Sequence, residues 1–544
     1  MTTNQTINEQ LRFNEFLIAV IRKTAFASGS QLSELLVSQF QISSEYARKI
    51  VQRASTAKIL KSSKPYTFGK GQYIYVLPNN ELEYDQVMEI CKRSKPPMYR
   101  LMASIRKNSG IVSKYDAIKI TGAPKGKSST KVETIDDILK LLSRMDFVYE
   151  AKDHRDITYV IKKEDFVRLP ESNEKELMQS YYNRMTMDCS LIPDVLRWMN
   201  SINLFDNKTS VPIYRNKKMP AVGASHNNIL WDAYCYTKTT GINDILGAAA
   251  NTTDKQTMVA LDIVLSSEYS ELMLDGFLSR IQINRNSVKG AKRKIFPIVV
   301  YNDISELVLN KLKKLGILAI DIGSIFGAKI YSVIQRLGEI DDKLLYSSNN
   351  VETTVEAILQ DIRDAGQEDA LKDLKGVLFE ALMYPLIKNL YPDALIERGR
   401  TLAIQPANGE KEYYEYDYIV HSNRPKELVV IELKGYNSAA AISVGDKNTK
   451  STLGWFFRRT LPFAGKFFKD KIADGMTLKG IYMTTANFWK EAQDYIVLMN
   501  KGKLKPRALS TGYSRVDLIA LLNDKGFEKE VQIINKFYVK QEEI

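Results

Sequence analysis

Cysteine, histidine and long apolar runs are all scarce in this chain of 544 residues. Cys91, Cys189 and Cys235 lie far apart, form no metal-finger spacing and cannot build a disulfide framework, which fits a reducing compartment and a cytoplasmic location. No stretch approaches the ~20 apolar residues that would span a bilayer, so no membrane partner is expected. The opening Met1–Ile7 has no basic region followed by an apolar one, and secretion is not expected. None of the three histidines, His154, His226 and His421, sits near a cysteine or a G-x-S-x-G run, which disfavours zinc sites and hydrolase triads. The basic loop Gly122-Ala-Pro-Lys-Gly-Lys-Ser-Ser-Thr130 lacks the spacing of a phosphate-binding loop and no strand precedes it. Any ATP-driven step would therefore need a partner protein.

What is present is an ordinary globular composition, 44% hydrophobic and 26% charged, at a length that implies several domains. The 77 basic side chains outnumber the 64 acidic ones, a net of +13. The first 165 residues carry 27 basic and 18 acidic side chains, so most of the excess lies in the first third of the chain. Such asymmetry points to a polyanionic partner, nucleic acid before anionic membrane.

Residues 1–80 read as three helices followed by a turn-rich strand pair, the order of a winged helix. Ser30 is the expected cap of the second helix, and Ser43 or Ser44 of the third. The third helix puts Arg48, Lys49 and Arg53 on exposed faces, where a recognition helix meets phosphates and base edges, and the wing adds Lys64 and Lys70. Residues 97–165 repeat the plan, with a third helix expected over Lys131–Met145 and a hairpin beyond it. Residues 166–225 read as a helical linker. Residues 226–340 alternate strand and helix, which predicts a central α/β domain. Residues 341–370 are acidic and read as a helical connector.

Residues 371–544 hold the sharpest signal. From Gly376 to Ile387 a helix carries Glu380 as its single charged residue, costly to bury without a partner. A β-rich run, Tyr413–Val420, precedes the strand Glu427-Leu-Val-Val-Ile-Glu-Leu-Lys-Gly435. The two-residue strand period puts Glu415 with Asp417 on one face, and Glu432 with Lys434 on one face. If the two strands pair as a hairpin, Asp417, Glu432 and Lys434 converge at one sheet edge. Two carboxylates plus a carbonyl oxygen suit Mg²⁺. Such a cation polarises a phosphoryl oxygen, and a neighbouring lysine orients water and stabilises charge, an inventory for phosphodiester hydrolysis.

These residues resemble the PD-(D/E)xK nuclease superfamily over roughly Leu371–Met499. The match consists of the acidic helix residue Glu380, then Asp417, then Glu432-x-Lys434 after an apolar strand, within a similar order of elements. The resemblance implies a restriction-endonuclease-like α/β/α domain. In it Asp417, Glu432 and the Leu433 carbonyl bind the metal, Mg²⁺ with Mn²⁺ able to substitute. It further implies that Lys434 positions the attacking water and that Glu380 takes the helix acid's role. The family's proline is replaced by Tyr416. A decoy Glu150-Ala-Lys152 has no acidic strand before it.

The region after the motif, read as a helix from about Thr449 to Asp470, interleaves aromatics with Arg458, Arg459 and Lys466. There cations can neutralise phosphates while the rings pack inward or stack on bases. In the central domain Asp262 falls where the motif acid would sit and Val264 where the lysine would, with Asp232 on the preceding strand. This suggests a degenerate nuclease-like domain that serves as a scaffold or dimerises. The fold class expected is thus multidomain, α+β and α/β, with two winged helices, a central α/β domain and a nuclease domain. The expected activity is metal-dependent cleavage of double-stranded DNA by a restriction or phage-defence enzyme. The expected partners beside DNA are a second copy of the chain, in a homodimer, and further subunits of a defence system. The alternatives are a structure-specific or transposition-related nuclease, and a winged-helix DNA-binding regulator whose nuclease-like domain is inactive.

Overall fold

The computed structural model describes residues 2–69, 71–126, 132–166, 171–205, 211–237, 257–287, 294–346, 350–405, 412–436 and 441–539. It is a mixed helix-and-strand structure with several small sheets. In chain order the first elements are α1 (Thr2–Thr24), β1 (Ala27–Ser28), α2 (Gly29–Phe40), α3 (Ser44–Thr56), β2 (Lys61–Ser62), β3 (Ile74–Val76) and α4 (Tyr84–Ser94). Then come α5 (Pro96–Lys107), β4 (Ile111–Ser113), α6 (Lys114–Thr121), α7 (Ile135–Arg144), β5 (Val148–Lys152), β6 (Thr158–Lys162), α8 (Lys163–Phe166), α9 (Glu171–Ser190) and α10 (Ile192–Ser201). The middle of the chain forms β7 (Ile213–Tyr214), β8 (Ala224–His226), β9 (Ile229–Trp231), β10 (Ala233–Thr237), β11 (Thr257–Tyr269), α11 (Glu271–Asn286), β12 (Ile295–Ile304), α12 (Glu306–Lys314), β13 (Leu318–Asp321) and α13 (Ile322–Phe326). The C-terminal part follows with α14 (Ile330–Tyr346), α15 (Val351–Asp364), α16 (Lys372–Leu390), β14 (Leu395–Ile404), β15 (Glu412–Asn423), β16 (Lys426–Lys434) and β17 (Ala441–Ile442). It closes with α17 (Leu453–Trp455), α18 (Leu461–Phe467), α19 (Lys469–Ala473), β18 (Thr477–Thr484), β19 (Asn487–Phe488), α20 (Lys490–Met499), β20 (Gly512–Tyr513), α21 (Arg515–Asp524) and α22 (Glu528–Phe537).

The chain divides into two compact units. One comprises Met1–Met178, Ser225–Leu230 and Ser270–Arg293, the other Gln179–Ala224, Trp231–Tyr269 and Lys294–Ile544. This division cuts across the domain expected over 226–340. Helix α11 belongs to the first unit, because it packs on α6. A Cβ on Gly276 would stand 2.6 Å from the carbonyl oxygens of both Lys119 and Ile120, so the close crossing depends on glycine.

The first unit contains one topology twice. Helix, strand, two helices and two strands form a three-stranded sheet in the order β1-β3-β2, and the same order of elements forms β4-β6-β5. In the first copy Phe13, Leu17, Leu32, Leu36, Ile50 and Val51 close the core. The cap of α2 is Ser28, in a reciprocal capping box with Gln31, rather than the expected Ser30. Ser43 caps α3 by accepting the Tyr46 N–H. In the second copy the third helix is shorter than expected, Ile135–Arg144, because Thr134 caps it. The buried guanidinium of Arg100 ends α6, donating to the Ile120 and Thr121 carbonyls at 2.7 and 2.5 Å and to the Ser279 hydroxyl at 3.0 Å.

The second unit holds two five-stranded sheets, β7-β10-β11-β12-β13 and β14-β15-β16-β18-β20. In both, the first two pairings are antiparallel and the last two parallel. One continuous core joins Leu261 and Ile263 of β11 to Ile431 and Leu433 of β16 through α10 and α14–α16. The regions read as linker and connector are therefore core. Ile192, Val195 and Met199 of α10 and Val355, Ile358 and Ile362 of α15 are fully or almost fully buried. No helix among the described residues is long and apolar enough to cross a membrane.

Candidate active site

Antiparallel pairing of β15 with β16 runs from Asn423↔Lys426 to Tyr418↔Ile431 and stops there. Beyond that point the strands part, and Asp417, Glu432 and Lys434 lie in the opening. Asp417 is 1% exposed, and its Oδ2 accepts the Leu433 N–H at 2.7 Å. Lys434 Nζ lies 2.5 Å from Glu432 Oε1, 3.8 Å from Asp417 Oδ2 and 3.2 Å from the Leu433 carbonyl. The parallel partner β18 fixes the far side, with Thr484 and Thr485 both donating to the Lys434 carbonyl at 2.9 and 3.1 Å.

Glu380 reaches the same opening from α16. Gly435 permits this approach, since a Cβ there would sit 2.7 Å from the Phe379 side chain. The Tyr418 hydroxyl donates to the Glu380 main-chain oxygen at 2.8 Å and fixes the helix against the sheet. The structure thus brings together all four residues read as the site: Glu380, Asp417, Glu432 and Lys434.

A fifth charged group was not foreseen. Lys218, from the stretch read as linker, pairs directly with Asp417 and lies 3.8 Å from Glu380 Oε1. Beside it, Asn216 donates to Glu415. Burial alone would lower the Lys218 and Lys434 pKa values, but Asp417 with Glu380, and Glu432 with Asp417, outweigh it and raise them. Burial pushes Glu380 up to about 7 against the pull of Lys218, and raises Glu432 against the pull of Lys434. Asp417 goes the other way, because Lys218 and Lys434 overcome its desolvation.

The donor set suits a hard divalent cation. The carboxylates of Asp417 and Glu432, each paired with a lysine, and the Leu433 carbonyl are the oxygen donors that could hold one. With all three acids ionised, Glu380, Asp417 and Glu432 carry one more negative charge than Lys218 and Lys434 return, and the raised Glu380 carboxyl gives up part of that excess near neutrality.

The first sheet repeats the backbone part of this arrangement. Asp232 interrupts the strand expected over 229–236, separating β9 from β10, and its Oδ2 accepts the Ile263 N–H at 2.8 Å. Asp262 and Val264 flank Ile263 as Glu432 and Lys434 flank Leu433. Val264 is buried and apolar where the second sheet has lysine, and the guanidinium of Arg215 pairs with Asp232 at 3.4 Å.

Arg48, Lys49 and Arg53 are exposed along α3, whose inner face buries Ala47, Ile50, Val51 and Ala54. Lys64 is exposed, and Lys70 lies outside the described residues. The equivalent helix α7 shows Asp136 and Asp137 beside Lys140 and Arg144, and so has no net charge to offer. The helix expected over 449–470 is broken: α17 passes through a π-helical turn at Phe456–Thr460 into α18, and Phe468 separates α18 from α19. Phe456, Phe457, Phe463 and Phe468 are core, which removes them as stacking platforms. Arg458 is exposed, 5.2 Å from the Tyr495 ring, and Lys466 is exposed. Arg459 lies 4.7 Å from the Trp455 ring and donates to the Tyr414 hydroxyl at 2.6 Å.

Comparison with protein-family models, with curated proteins and with solved structures gave no match.

Proposed function

We propose that the chain is a metal-dependent DNA endonuclease of the PD-(D/E)xK type, with winged-helix modules for target binding. The observation that carries this reading is the meeting of Asp417, Glu432 and Lys434 where β15 and β16 part, with Glu380 brought in from α16. Asp417, Glu432 and the Leu433 carbonyl would hold Mg²⁺ or Mn²⁺. When bound there, the cation polarises a phosphoryl oxygen and eases deprotonation of water. Lys434, held between Glu432 and Asp417, orients the water oxygen for attack on phosphorus. Its positive charge also offsets the charge that builds on the non-bridging phosphoryl oxygens as water adds and the leaving oxygen departs. Glu380, brought in from α16, would take the helix acid's role beside Asp417 and Lys218.

The exposed cations of α3 support double-stranded DNA as the partner. The first sheet of the second unit reads as a degenerate copy of the second, since it keeps the strand order and the aspartate–backbone bond but has valine for the lysine. Recognition and cleavage on one chain fit a restriction or phage-defence enzyme, and cutting both strands implies a homodimer. The test is cleavage of supercoiled and linear duplex DNA with Mg²⁺ or Mn²⁺ by the wild type, Glu432→Ala and Lys434→Ala. Metal-dependent cutting lost in both variants is expected. Cutting that survives both would overturn the assignment. Salt-sensitive DNA binding with no cutting by any form would favour the regulator.

A further inference from the structure

We propose that Lys218 is a built-in second cation of this site, so that the chain takes one divalent metal ion rather than two. The inference rests on the nuclease reading of Asp417 and Glu432, and it assigns a role to a residue outside that motif.

Lys218 lies against Asp417, the carboxylate that a two-metal site would share between its ions. In two-metal phosphodiester hydrolysis the second ion lies about 3.5–4 Å from the first and the pair clamps the attacking and leaving oxygens. Lys218 Nζ contacts Asp417 through Oδ1, the oxygen not used by the Leu433 N–H, and stands 3.8 Å from Glu380. It thus pairs with Asp417 and partly offsets the charge of Glu380, while Lys434 lies between Glu432 and Asp417.

The delivery of Lys218 is rigid. The strand β7 pairs with β10 through Tyr214↔Ala233, and the Arg215 N–H donates to the Asp232 carbonyl at 2.7 Å. The Arg215 side chain is 1% exposed, bound to Asp232 and to the Pro220 carbonyl. A bridge between Asn216 and Met219 closes the turn, and the Lys218 N–H donates to Asn216 Oδ1 at 2.8 Å. One short segment therefore supplies a cation to each sheet: Arg215 to Asp232, and three residues later Lys218 to Asp417. In the first sheet the arginine is fully sealed in. In the second, the Glu432 and Lys434 side chains remain 14% and 21% exposed and those of Lys218 and Glu380 20% and 28%, so the site keeps access beside both lysines. A removable plug would be a poor description of a lysine carried on an anchored turn. A constant ammonium held at a fixed point costs no reorganisation during reaction.

The test is Mn²⁺ binding to the full chain without DNA, read by electron paramagnetic resonance and calorimetry. The wild type is expected to bind one Mn²⁺ per chain, with Glu432→Gln weakening it at least about 10-fold. Lys218→Met is expected to bind two, the second on the released Asp417 and Glu380 carboxylates, while Lys218→Arg stays at one. If Lys218→Met fails to fold, the wild-type and Lys218→Arg stoichiometries still decide. Two ions on the wild type, or one on a folded Lys218→Met, overturns the inference and leaves the nuclease reading standing. A single ion bound only more tightly by Lys218→Met marks a plug and also overturns it. No binding by any form overturns both.

Discussion

Lys218 and Asp417 stand 199 positions apart in the sequence and meet as a direct ion pair in the opening of the β15–β16 hairpin. Replacing one member of such a pair leaves the other charge without its counterion. Asp417→Asn keeps an oxygen for the Leu433 N–H but leaves Lys218 and Lys434 facing a neutral group. The expected cost is about 3 kcal/mol, with cleavage down at least ~10²-fold. Urea denaturation followed by circular dichroism and a plasmid-nicking assay measure the two effects. Unchanged stability would mean that Asp417 does not hold the lysine.

The outer face of α3 carries Arg48, Lys49 and Arg53 while α7 is balanced by its own acids. Alanine at all three α3 positions should reduce the slope of log affinity against log salt by about 2.7, at roughly 0.9 per phosphate contact. Alanine at Lys140 and Arg144 should leave it nearly unchanged. Fluorescence anisotropy of a labelled duplex between about 50 and 200 mM salt provides the comparison. Equal slopes for both variants would remove α3 as the phosphate-contacting helix.

Gly276 sits where α11 crosses the last turn of α6. A methyl group there meets two main-chain oxygens, which cannot swing aside as a side chain could. Gly276→Ala is expected to cost about 1–3 kcal/mol locally. Hydrogen exchange should accelerate in residues 114–121 and 271–286 and stay unchanged around β16. Acceleration spread over both units would contradict this local account.

Glu397 of β14 carries a separate pH dependence. Burial would raise its carboxyl, but hydrogen bonds from His421 and Arg400 prevail and bring it down to about 2. The His421 bond is 3.0 Å, and Lys471 lies 3.2 Å from the other ring nitrogen. A depressed folded-state value stabilises the fold above the unfolded value of about 4.5, and that contribution fades as pH falls from there toward 2. Glu397→Gln should remove roughly 3 kcal/mol at neutral pH and flatten the acid limb of stability. Urea midpoints from pH 7 down to 3.5 check this, and parallel curves for wild type and variant would refute it.

Some of this architecture was legible in the residues. Alternation in Tyr413–Val420 and Glu427–Lys434 sets which side chains share a face, because a strand has a period of two. That periodicity is enough to bring Asp417, Glu432 and Lys434 together once the strands pair. Lys218 carried no such signal. It sits beside Lys217 in a short polar stretch, and its neighbours are set by a two-residue strand at the edge of another sheet. The acidic composition of 341–370 masked the spacing Val351, Val355, Ile358, Leu359 and Ile362, which is a buried helical stripe. A glycine inside the helical pattern of 271–281 was the available hint that α11 has a close partner elsewhere. The rings beside Arg458 and Arg459 were ambiguous because core packing and base stacking favour the same residues.

The chain passes between its two compact units five times, at 178, 224, 230, 269 and 293. On the ribosome this imposes a schedule. The first unit lacks α11 until about residue 286 has emerged, although its other helices were synthesised long before. Residues 179–224 emerge still earlier relative to the sheet that Lys218 serves, whose first strand begins at Leu395. The last of its acids, Glu432, follows 214 residues after Lys218, so the lysine is made long before the carboxylates it meets.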